Sequence, residues 1–267
     1  MNARENGRVA VVDDQPVAAA GLRLGIEAAG YAVVAEVRSV EELDPELEVD
    51  VVVCDYWIRG GRSRVEAVEF LVRRGLLVLS VSAVATAEAV LDVIAAGACG
   101  FIHKDAEILD YPRALAHSLA DGCYLSPLLA GYLLEDANRR PLDSDDIGRP
   151  ERLLLRTVAD GKTSQDAVAA LELTRDVYLA RLRLIFTAAG RRRKKHRLTP
   201  REMQIVQMIV LEGMTARQIA RRLDIRPDTV ADHLNSIKRK YQAMHPDNHL
   251  APRAIVLQWA RELGMLH

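Results

Sequence analysis

The first 121 residues of the chain alternate short apolar runs with amphipathic stretches. Four of the five apolar runs are rich in β-branched residues, and all have the length of buried strands. The runs lie at residues 9–12, 31–37, 51–54, 76–80 and 100–103. Between them, apolar residues recur at helical spacing, for example over 87–96 and 108–119. This alternation predicts an α/β fold in which five β/α units form a doubly wound parallel sheet.

The rest of the chain predicts helices throughout and contains an internal repeat. Residues 161–185 align without gaps to residues 213–237, an offset of 52, with six identities in 25 positions. Because the other core positions stay apolar in both segments, we expect two copies of one helical unit. A polar stretch at 135–150 predicts a linker before the first copy. The basic run at 191–197 predicts a second linker.

Charge is divided unevenly along the chain, although the formal net charge is only −1. Residues 1–125 hold 11 Lys and Arg against 20 Asp and Glu, whereas residues 191–267 hold 16 against 7. This division predicts cation binding in the first half and a polyanion partner for the basic end. No apolar run approaches the roughly 18 residues of a membrane span. We therefore expect a soluble, cytoplasmic protein with no membrane partner.

Five polar residues lie at the carboxyl ends of four predicted strands. They are Asp13 and Asp14 after the first strand, Asp55 after the third, Ser80 on the fourth and Lys104 after the fifth. The carboxyl ends of a doubly wound sheet share one edge, where ligands bind. Three clustered carboxylates repel one another unless a cation joins them, and their hard oxygen atoms suit Mg²⁺ best. The pattern predicts a Mg²⁺ site beside a hydroxyl and an ammonium group.

A carboxylate beside Mg²⁺, with a hydroxyl and an ammonium nearby, is equipped to accept a phosphoryl group. Lys104 would offset charge on the transferring oxygens, and Ser80 would donate a hydrogen bond to one of them. Taken alone, an Asp-Asp pair after a strand is more typical of a helix N-cap. The convergence of all five groups on one edge favours the phosphoacceptor interpretation.

The basic end of the chain predicts a helix-turn-helix. Thr199 and Glu202 have the spacing of a capping box at the start of a helix, a short helix follows around 216–223, and a third helix spans 228–241. The exposed face of the third helix carries Ala231, Asp232, Asn235, Lys238 and Arg239. A polar face of this kind suits the major groove of double-stranded DNA.

The residue types on this face predict separate roles in DNA binding. Asn235 is suited to pair with adenine, and Asp232 to accept a hydrogen bond from the cytosine amine. The basic residues are better suited to phosphate contacts, which position the domain without reading the base sequence. They are Arg217, Lys238, Arg239 and Lys240. The alternative is a basic face exposed only to solvent.

Residues 8–121 resemble the receiver domain of two-component response regulators, with particular similarity to the NarL/FixJ subfamily over 79–82 and 96–101. The resemblance implies that Asp55 is the phosphoacceptor and that Asp13 and Asp14 are the metal-binding pair. It further implies that Ser80 is the switch hydroxyl and Lys104 the invariant lysine.

The chain departs from the family pattern at two positions. Trp57 occupies the position whose backbone carbonyl usually completes the metal shell, and its indole need not block that carbonyl. Phe101 stands where many relatives carry the switching Tyr, so a hydroxyl-dependent switch is excluded at this position. We still expect phosphoacceptor chemistry, with at most slow autophosphatase activity and no other enzymatic role.

Residues 198–266 closely resemble the LuxR-type DNA-binding domain, through the matching stretches at 198–202, 215–220 and 229–240. The resemblance implies base recognition by Ala231, Asp232 and Asn235, with Lys240 on the DNA backbone. The stretch 251–264 is similar to the family's fourth helix, which usually carries a dimer contact.

These resemblances predict five segments in the chain. They are a receiver domain at 1–128, a linker at 129–149, a central degenerate helix-turn-helix-like domain at 150–190, a basic linker at 191–197 and a LuxR-type DNA-binding domain at 198–267. The predicted protein is a homodimeric response regulator, phosphorylated on Asp55 by a sensor histidine kinase, that binds DNA and regulates transcription.

Two alternatives stay open at this point. One is an atypical receiver-containing transcription factor that a ligand or a protein partner controls without phosphorylation. The other is an interaction adaptor whose basic tail binds RNA or protein.

The central copy is predicted to be an interaction module, packed against the receiver or a second subunit. At the offset of 52, its recognition positions are Leu179, Ala180 and Arg183. Apolar Leu179 suits a protein contact better than a DNA groove, while Arg175, Arg181 and Arg183 leave a secondary DNA role possible.

Overall fold

A computed structural model of the chain describes residues 6–56, 58, 64–83, 86–105, 110–139, 147–196, 198–245 and 247–262. The chain divides into two compact units, Met1–Arg191 and Arg192–His267. None of the described helices is long and apolar enough to cross a membrane.

A five-stranded parallel sheet forms the centre of the first unit, in the order β2-β1-β3-β4-β5. The strands are β1 (Arg8–Val12), β2 (Ala32–Val37), β3 (Val51–Asp55), β4 (Leu77–Ser82) and β5 (Gly100–His103). The helices that follow them are α1 (Pro16–Ala28), α2 (Arg64–Arg73), α3 (Ala87–Ala95) and α4 (Asp110–Asp121). Because the strand order reverses at β1, the sheet is doubly wound. The predicted fold class is therefore confirmed.

Alternate side chains of the strands build one core on each face of the sheet. Val51 and Val53 of β3 are completely buried in the core that α1 and α4 cover. Val52 and Cys54 are equally buried on the opposite face, with α2 and α3. Strands buried on both faces explain why these segments are continuous apolar runs.

The second of the five predicted β/α units lacks its helix. Residues 38–50, between β2 and β3, contain neither helix nor strand. Val40 and Leu43 of this connection are buried in the core on the α2–α3 face. Two apolar side chains therefore cover this part of the sheet where a helix was expected.

The predicted linker at 129–149 is wrong over its first half. Helix α5 (Pro127–Arg139) occupies that part of the chain. Its inner face is completely buried and consists of Leu129, Ala130, Leu133 and Ala137. Because these four residues join the same core as Val52 and α3, α5 is an integral part of the first unit. Residues 140–146 lie outside the described part of the chain.

The central copy forms three helices, and they share the receiver's core. The helices are α6 (Arg149–Ala159), α7 (Ser164–Ala170) and α8 (Arg175–His196). Leu154, Leu182 and Ile185 are buried in one cluster with Phe101 and Val52 of the sheet. The copy is therefore packed against the receiver within one unit and is not a separate body. The predicted basic linker at 191–197 is also wrong, since residues 191–196 continue α8.

The second unit contains the other copy. Its helices are α9 (Pro200–Val210), α10 (Ala216–Arg222), α11 (Pro227–Met244) and α12 (Pro252–Glu262). The first residues of α7 and α8 map onto those of α10 and α11 at the offset of 52.

The turn before α8 and the turn before α11 also have the same backbone conformation. Glu172 and Asp224 have φ of 50° and 51°, although L-residues rarely adopt a left-handed backbone. The amide of Leu173 donates to the carbonyl of Val168 at 2.9 Å, and that of Ile225 to Ala220 at 3.0 Å. Two copies of one helical unit are thus present in the structure.

Candidate functional site

The predicted acidic residues meet at the carboxyl edge of the sheet. Carboxylate oxygens of Asp13, Asp14 and Asp55 all lie within 4.8 Å of one another. The Lys104 ammonium lies between two of them, with Nζ at 2.6 Å from Asp13 Oδ2 and 3.2 Å from Asp55 Oδ2. Parallel strands place all their carboxyl ends on this edge, so four residues from three separate parts of the sequence share one pocket.

Two of the carboxylates of this pocket are buried, so their charges are costly unless they are paired. Asp13 is 1% exposed and Asp55 3% exposed. Among the described residues, three carboxylates surround the Lys104 ammonium group and supply a cluster of oxygen ligands. Burial, together with Asp55 and Asp13, raises the pKa of the neighbouring Cys54 thiol to about 12. The pocket therefore suits a divalent cation with hard-ligand preference, such as Mg²⁺.

The hydroxyl of Ser80 has unused hydrogen-bonding capacity. Ser80 is completely buried on β4, in register with Cys54 of β3. Within the described residues, its Oγ has no hydrogen-bond partner. An unsatisfied buried hydroxyl is costly, so a ligand oxygen at this position would relieve that cost.

Two further predicted residues have different outcomes. The side chain of Phe101 is 1% exposed and belongs to the core that contains Leu125 and, on α5, Leu129. Its carbonyl accepts a hydrogen bond from the Ser126 hydroxyl at 3.4 Å. The predicted metal-ligating carbonyl of Trp57 lies outside the described residues.

The third helix of the tail, α11, exposes the residues that were predicted to face DNA. Val230, Ile237 and Tyr241 are buried on its inner side. The residues predicted to read bases are exposed on its outer side, and they are Ala231, Asp232 and Asn235. Arg239 and Arg217 are also exposed, and Lys238 is partly exposed.

Lys240, which was predicted to contact phosphate, is directed into the domain in this structure. Its Nζ donates to Glu202 Oε2 at 2.6 Å, and its side chain is only 19% exposed. Glu202 also accepts from the Thr199 amide at 2.6 Å and from the Ser236 hydroxyl at 2.7 Å. The ammonium group thus neutralises a buried carboxylate.

Arg221 is a basic residue that was not among the predicted DNA contacts. Together with Arg217 and Asp224, it lines an open groove between α10 and α11. The signal was present, because residues four apart lie on one face of a helix. Arg221 adds a second guanidinium to the basic surface beside α11.

Two family models match the chain. The response regulator receiver domain matches residues 9–115, and the model described as bacterial regulatory proteins, luxR family, matches residues 196–246. No curated protein matches the chain. Residues 116–195, which include α5 to α7, lie between the two matched segments.

Several solved structures are similar to the chain. The RcsB response regulator of Salmonella typhimurium is 19% identical, with all of both chains covered and a TM-score of 0.44. An RcsB–DNA complex is 17% identical over 97% of this chain and 100% of that chain, with a TM-score of 0.48. A LuxR-family response regulator from an Aurantimonas species is 29% identical over 49% of this chain and 98% of that chain, with a TM-score of 0.46.

A receiver fold with a buried acidic pocket, followed by a helix-turn-helix unit, defines the class of DNA-binding response regulators. This chain belongs to the response regulators that carry a LuxR-type DNA-binding domain, and it regulates transcription. The predicted domain pair at the two ends of the chain is confirmed. It is the domain pair of a transcription factor.

Proposed function

We propose that the protein is phosphorylated on Asp55 by a sensor histidine kinase and that this modification controls DNA binding by a homodimer in the cytoplasm. The observation that carries the proposal is the geometry of the pocket. Asp13 and Asp14 lie beside Asp55, the Lys104 ammonium contacts Asp55 at 3.2 Å, and the buried Ser80 hydroxyl has no partner among the described residues.

The residues of the pocket divide the chemistry of phosphoryl transfer between them. A carboxylate oxygen of Asp55 attacks phosphorus while the bond from phosphorus to the kinase histidine nitrogen breaks, and the product is an acyl phosphate. Lys104 and Ser80 contact the phosphoryl oxygens and offset their charge. Asp13, Asp14 and Asp55 would hold Mg²⁺, which supplies further neutralisation of those oxygens.

The same pocket is expected to lose the phosphoryl group only slowly. Its acidic groups all take part in metal or phosphoryl binding in this proposal, so none is assigned as a base for an attacking water. Any autophosphatase activity is therefore a slow side reaction.

Intact mass spectrometry after incubation with acetyl phosphate tests the phosphoacceptor. We expect one added phosphoryl group on the wild type, dependent on Mg²⁺, and none on Asp55→Asn. Asp105→Asn is the matched control, because Asp105 adjoins Lys104 but its side chain is 85% exposed. An unlabelled wild type would contradict the proposal and favour control by a ligand or a protein partner.

For DNA recognition, we propose that Asn235 and Asp232 read base edges, with Ala231 beside them on the same face. Arg217, Lys238 and Arg239 would contact phosphates. A selection from random duplexes, with and without acetyl phosphate and Mg²⁺, tests this assignment together with its control by phosphorylation. Asn235→Ala should relax the preference at one base position and cost about 1–3 kcal/mol. An unchanged selected motif would show that another face reads DNA.

A further inference from the structure

The two helical copies differ at three positions of their third helix. In the copy of the second unit these positions of α11 are polar, with Asp232 exposed and Thr229 and Ser236 partly buried. At the offset of 52, the central copy has Val177, Ala180 and Leu184 on α8. These three positions are therefore polar in the copy that is expected to bind DNA and apolar in the central copy.

The apolar residues of α8 form an exposed stripe. Val177 is 41% exposed and Leu184 is 40% exposed, and Ala180 between them is exposed as well. Their spacing of three and four residues places them along one line of the helix. We call these three residues the α8 stripe.

Leu179 does not belong to the α8 stripe, in contrast to its predicted outward position. It is partly buried and packs against the core that the central copy shares with the receiver. Arg175, at the start of the helix, pairs with Asp121 of α4 at 2.6 Å. One side of α8 is thus used by the receiver, and the α8 stripe faces elsewhere.

Two opposite charges adjoin the stripe. Asp176 and Arg183 are both exposed, and at 100° per residue they lie on one flank of the line through Ala180. Val177 and Leu184 lie on the other flank. The exposed face of α8 therefore has an apolar edge and a charged edge that run side by side along the helix.

We propose that the α8 stripe is a contact surface for a second copy of this chain, formed by two antiparallel α8 helices. A two-fold axis near residues 180 and 181 places Val177 opposite Leu184 of the partner subunit, and Leu184 opposite Val177 of the partner subunit. The same axis brings Asp176 near Arg183 of the partner subunit, twice. The face is self-complementary, because apolar residues meet apolar residues and each charge meets an opposite charge, as an isologous interface requires.

Ala180 lies at the crossing point of this arrangement. Its small side chain lets the two helix axes approach closely, which long apolar or charged side chains would prevent. A duplex groove is a poorer partner, because an apolar stripe makes no hydrogen bond to base edges or phosphates.

One helix pair of this length is small compared with the 1,200–2,000 Å² of a stable specific interface. The contact therefore adds to the other contacts of the homodimer in the proposed function, on which this inference rests. Its expected effect is a stronger dimer and more cooperative occupation of two DNA half-sites.

Charge reversal gives a specific test of the antiparallel geometry. In Asp176→Arg both charges at each pair become positive, and in Arg183→Asp both become negative. Each variant alone should dimerise about tenfold more weakly than the wild type. A mixture of the two should form a heterodimer, because each pair then again joins opposite charges. Sedimentation velocity of the full chain, with a fluorescent label on one variant, measures both effects.

Two controls separate the contact from folding. Asp160→Arg reverses an exposed charge of the same copy outside α8 and should leave the dimer unchanged. The double variant Val177→Thr and Leu184→Ser carries the residues that the tail copy has at these positions, so the helix should form while the dimer weakens. Circular dichroism verifies that each variant is folded.

The inference is overturned if the mixture shows no heterodimer, or if folded single variants dimerise like the wild type. It is also overturned if the wild type stays monomeric, both free and on DNA with two half-sites. A monomeric wild type would also contradict the homodimer of the proposed function, whereas the other two results would not. Phosphorylation of Asp55 is judged by its own labelling experiment, so failure of this inference and failure of the phosphoacceptor proposal are distinguishable.

Discussion

The buried carboxylate of Glu202 is expected to be a principal source of stability in the DNA-binding unit. Glu202 is 2% exposed and accepts hydrogen bonds from the Thr199 amide, the Ser236 hydroxyl and the Lys240 ammonium, all at 2.6–2.7 Å. These donors join the start of α9 to the middle of α11. Glu202→Gln keeps the shape of the side chain and removes its charge.

The loss of unfolding free energy in Glu202→Gln can be estimated, because the substitution leaves the Lys240 ammonium without its carboxylate partner. Removing one partner of a fully buried ion pair costs about 3–5 kcal/mol. The cost here is lower, because the Lys240 side chain is 19% exposed and a Gln oxygen still accepts hydrogen bonds. We expect a loss of about 2–3 kcal/mol, equivalent to about 10–20 °C in Tm for a unit of this size.

Unfolding of this unit can be followed by one buried fluorophore. The chain has two Trp residues, and Trp259 is 6% exposed with its ring centroid 5.6 Å from that of Tyr241. In a Trp57→Phe background, urea unfolding followed by fluorescence therefore reports on Trp259. The control is Asp228→Asn, whose ion pair with Arg226 is 84% exposed on both sides and should contribute at most about 1 kcal/mol. Equal effects of the two substitutions would refute the argument.

The pH dependence provides an independent check on Glu202. Burial alone would raise its pKa, but hydrogen bonds from Lys240, Thr199 and Ser236 outweigh burial, and the pKa lies below the ordinary value of 4.5. A carboxyl group with a lowered pKa contributes stability above its unfolded pKa and loses it as the pH falls through the folded pKa. The difference in unfolding free energy between wild type and Glu202→Gln should shrink below about pH 4. A difference that stays constant from pH 7 to pH 3 would contradict the assigned cause.

Three further outcomes are expected. DNA affinity should fall steeply with salt concentration. In a titration series, Arg239→Gln should reduce the slope of log affinity against log salt concentration by about one. An unchanged slope would exclude a phosphate contact by Arg239. Gly100→Ala should destabilise the first unit by about 1–3 kcal/mol in urea unfolding, because the added Cβ would lie 2.9 Å from the Tyr124 carbonyl oxygen. Gly21→Ala, where nothing lies within 4 Å of the added Cβ, is its control and should stabilise α1 by up to about 1 kcal/mol.

The acidic pocket was predictable because one rule of topology assembles it. Once the apolar runs are taken as parallel strands, Asp13, Asp55 and Lys104 must share an edge, whatever lies between them in the sequence. The fate of Lys240 was not predictable in this way. Its partner Glu202 is 38 residues away, and a flexible side chain near a basic surface can point to solvent or into the domain with equal support from the pattern.

The error at α5 has a different physical origin. The buried positions Leu129, Leu133 and Ala137 have helical spacing, but polar residues follow closely, and Asp136 is itself 3% exposed. A prediction from composition places a polar residue such as Asp136 in solvent. A folded chain can nevertheless bury a polar side chain that has interaction partners. Likewise, Val40 and Leu43 cover the sheet between β2 and β3 where a helix was predicted. Two buried side chains in an irregular connection leave no periodic pattern in the sequence from which they could be predicted.

The two helical copies separate what maintains a fold from what gives it a function. Both keep a threonine cap on the second helix, at Thr163 and Thr215, and both keep the left-handed residue before the third helix. These features determine the path of the backbone, so they are retained while outward residues change. The outward residues of α11 include the polar Asp232 and Asn235, which suit a DNA groove, and those of α8 include the apolar Val177 and Leu184, which suit a protein partner. Since both copies share the starts of their second and third helices and the turn between them, the partner of each must be inferred from its exposed side chains and not from its fold.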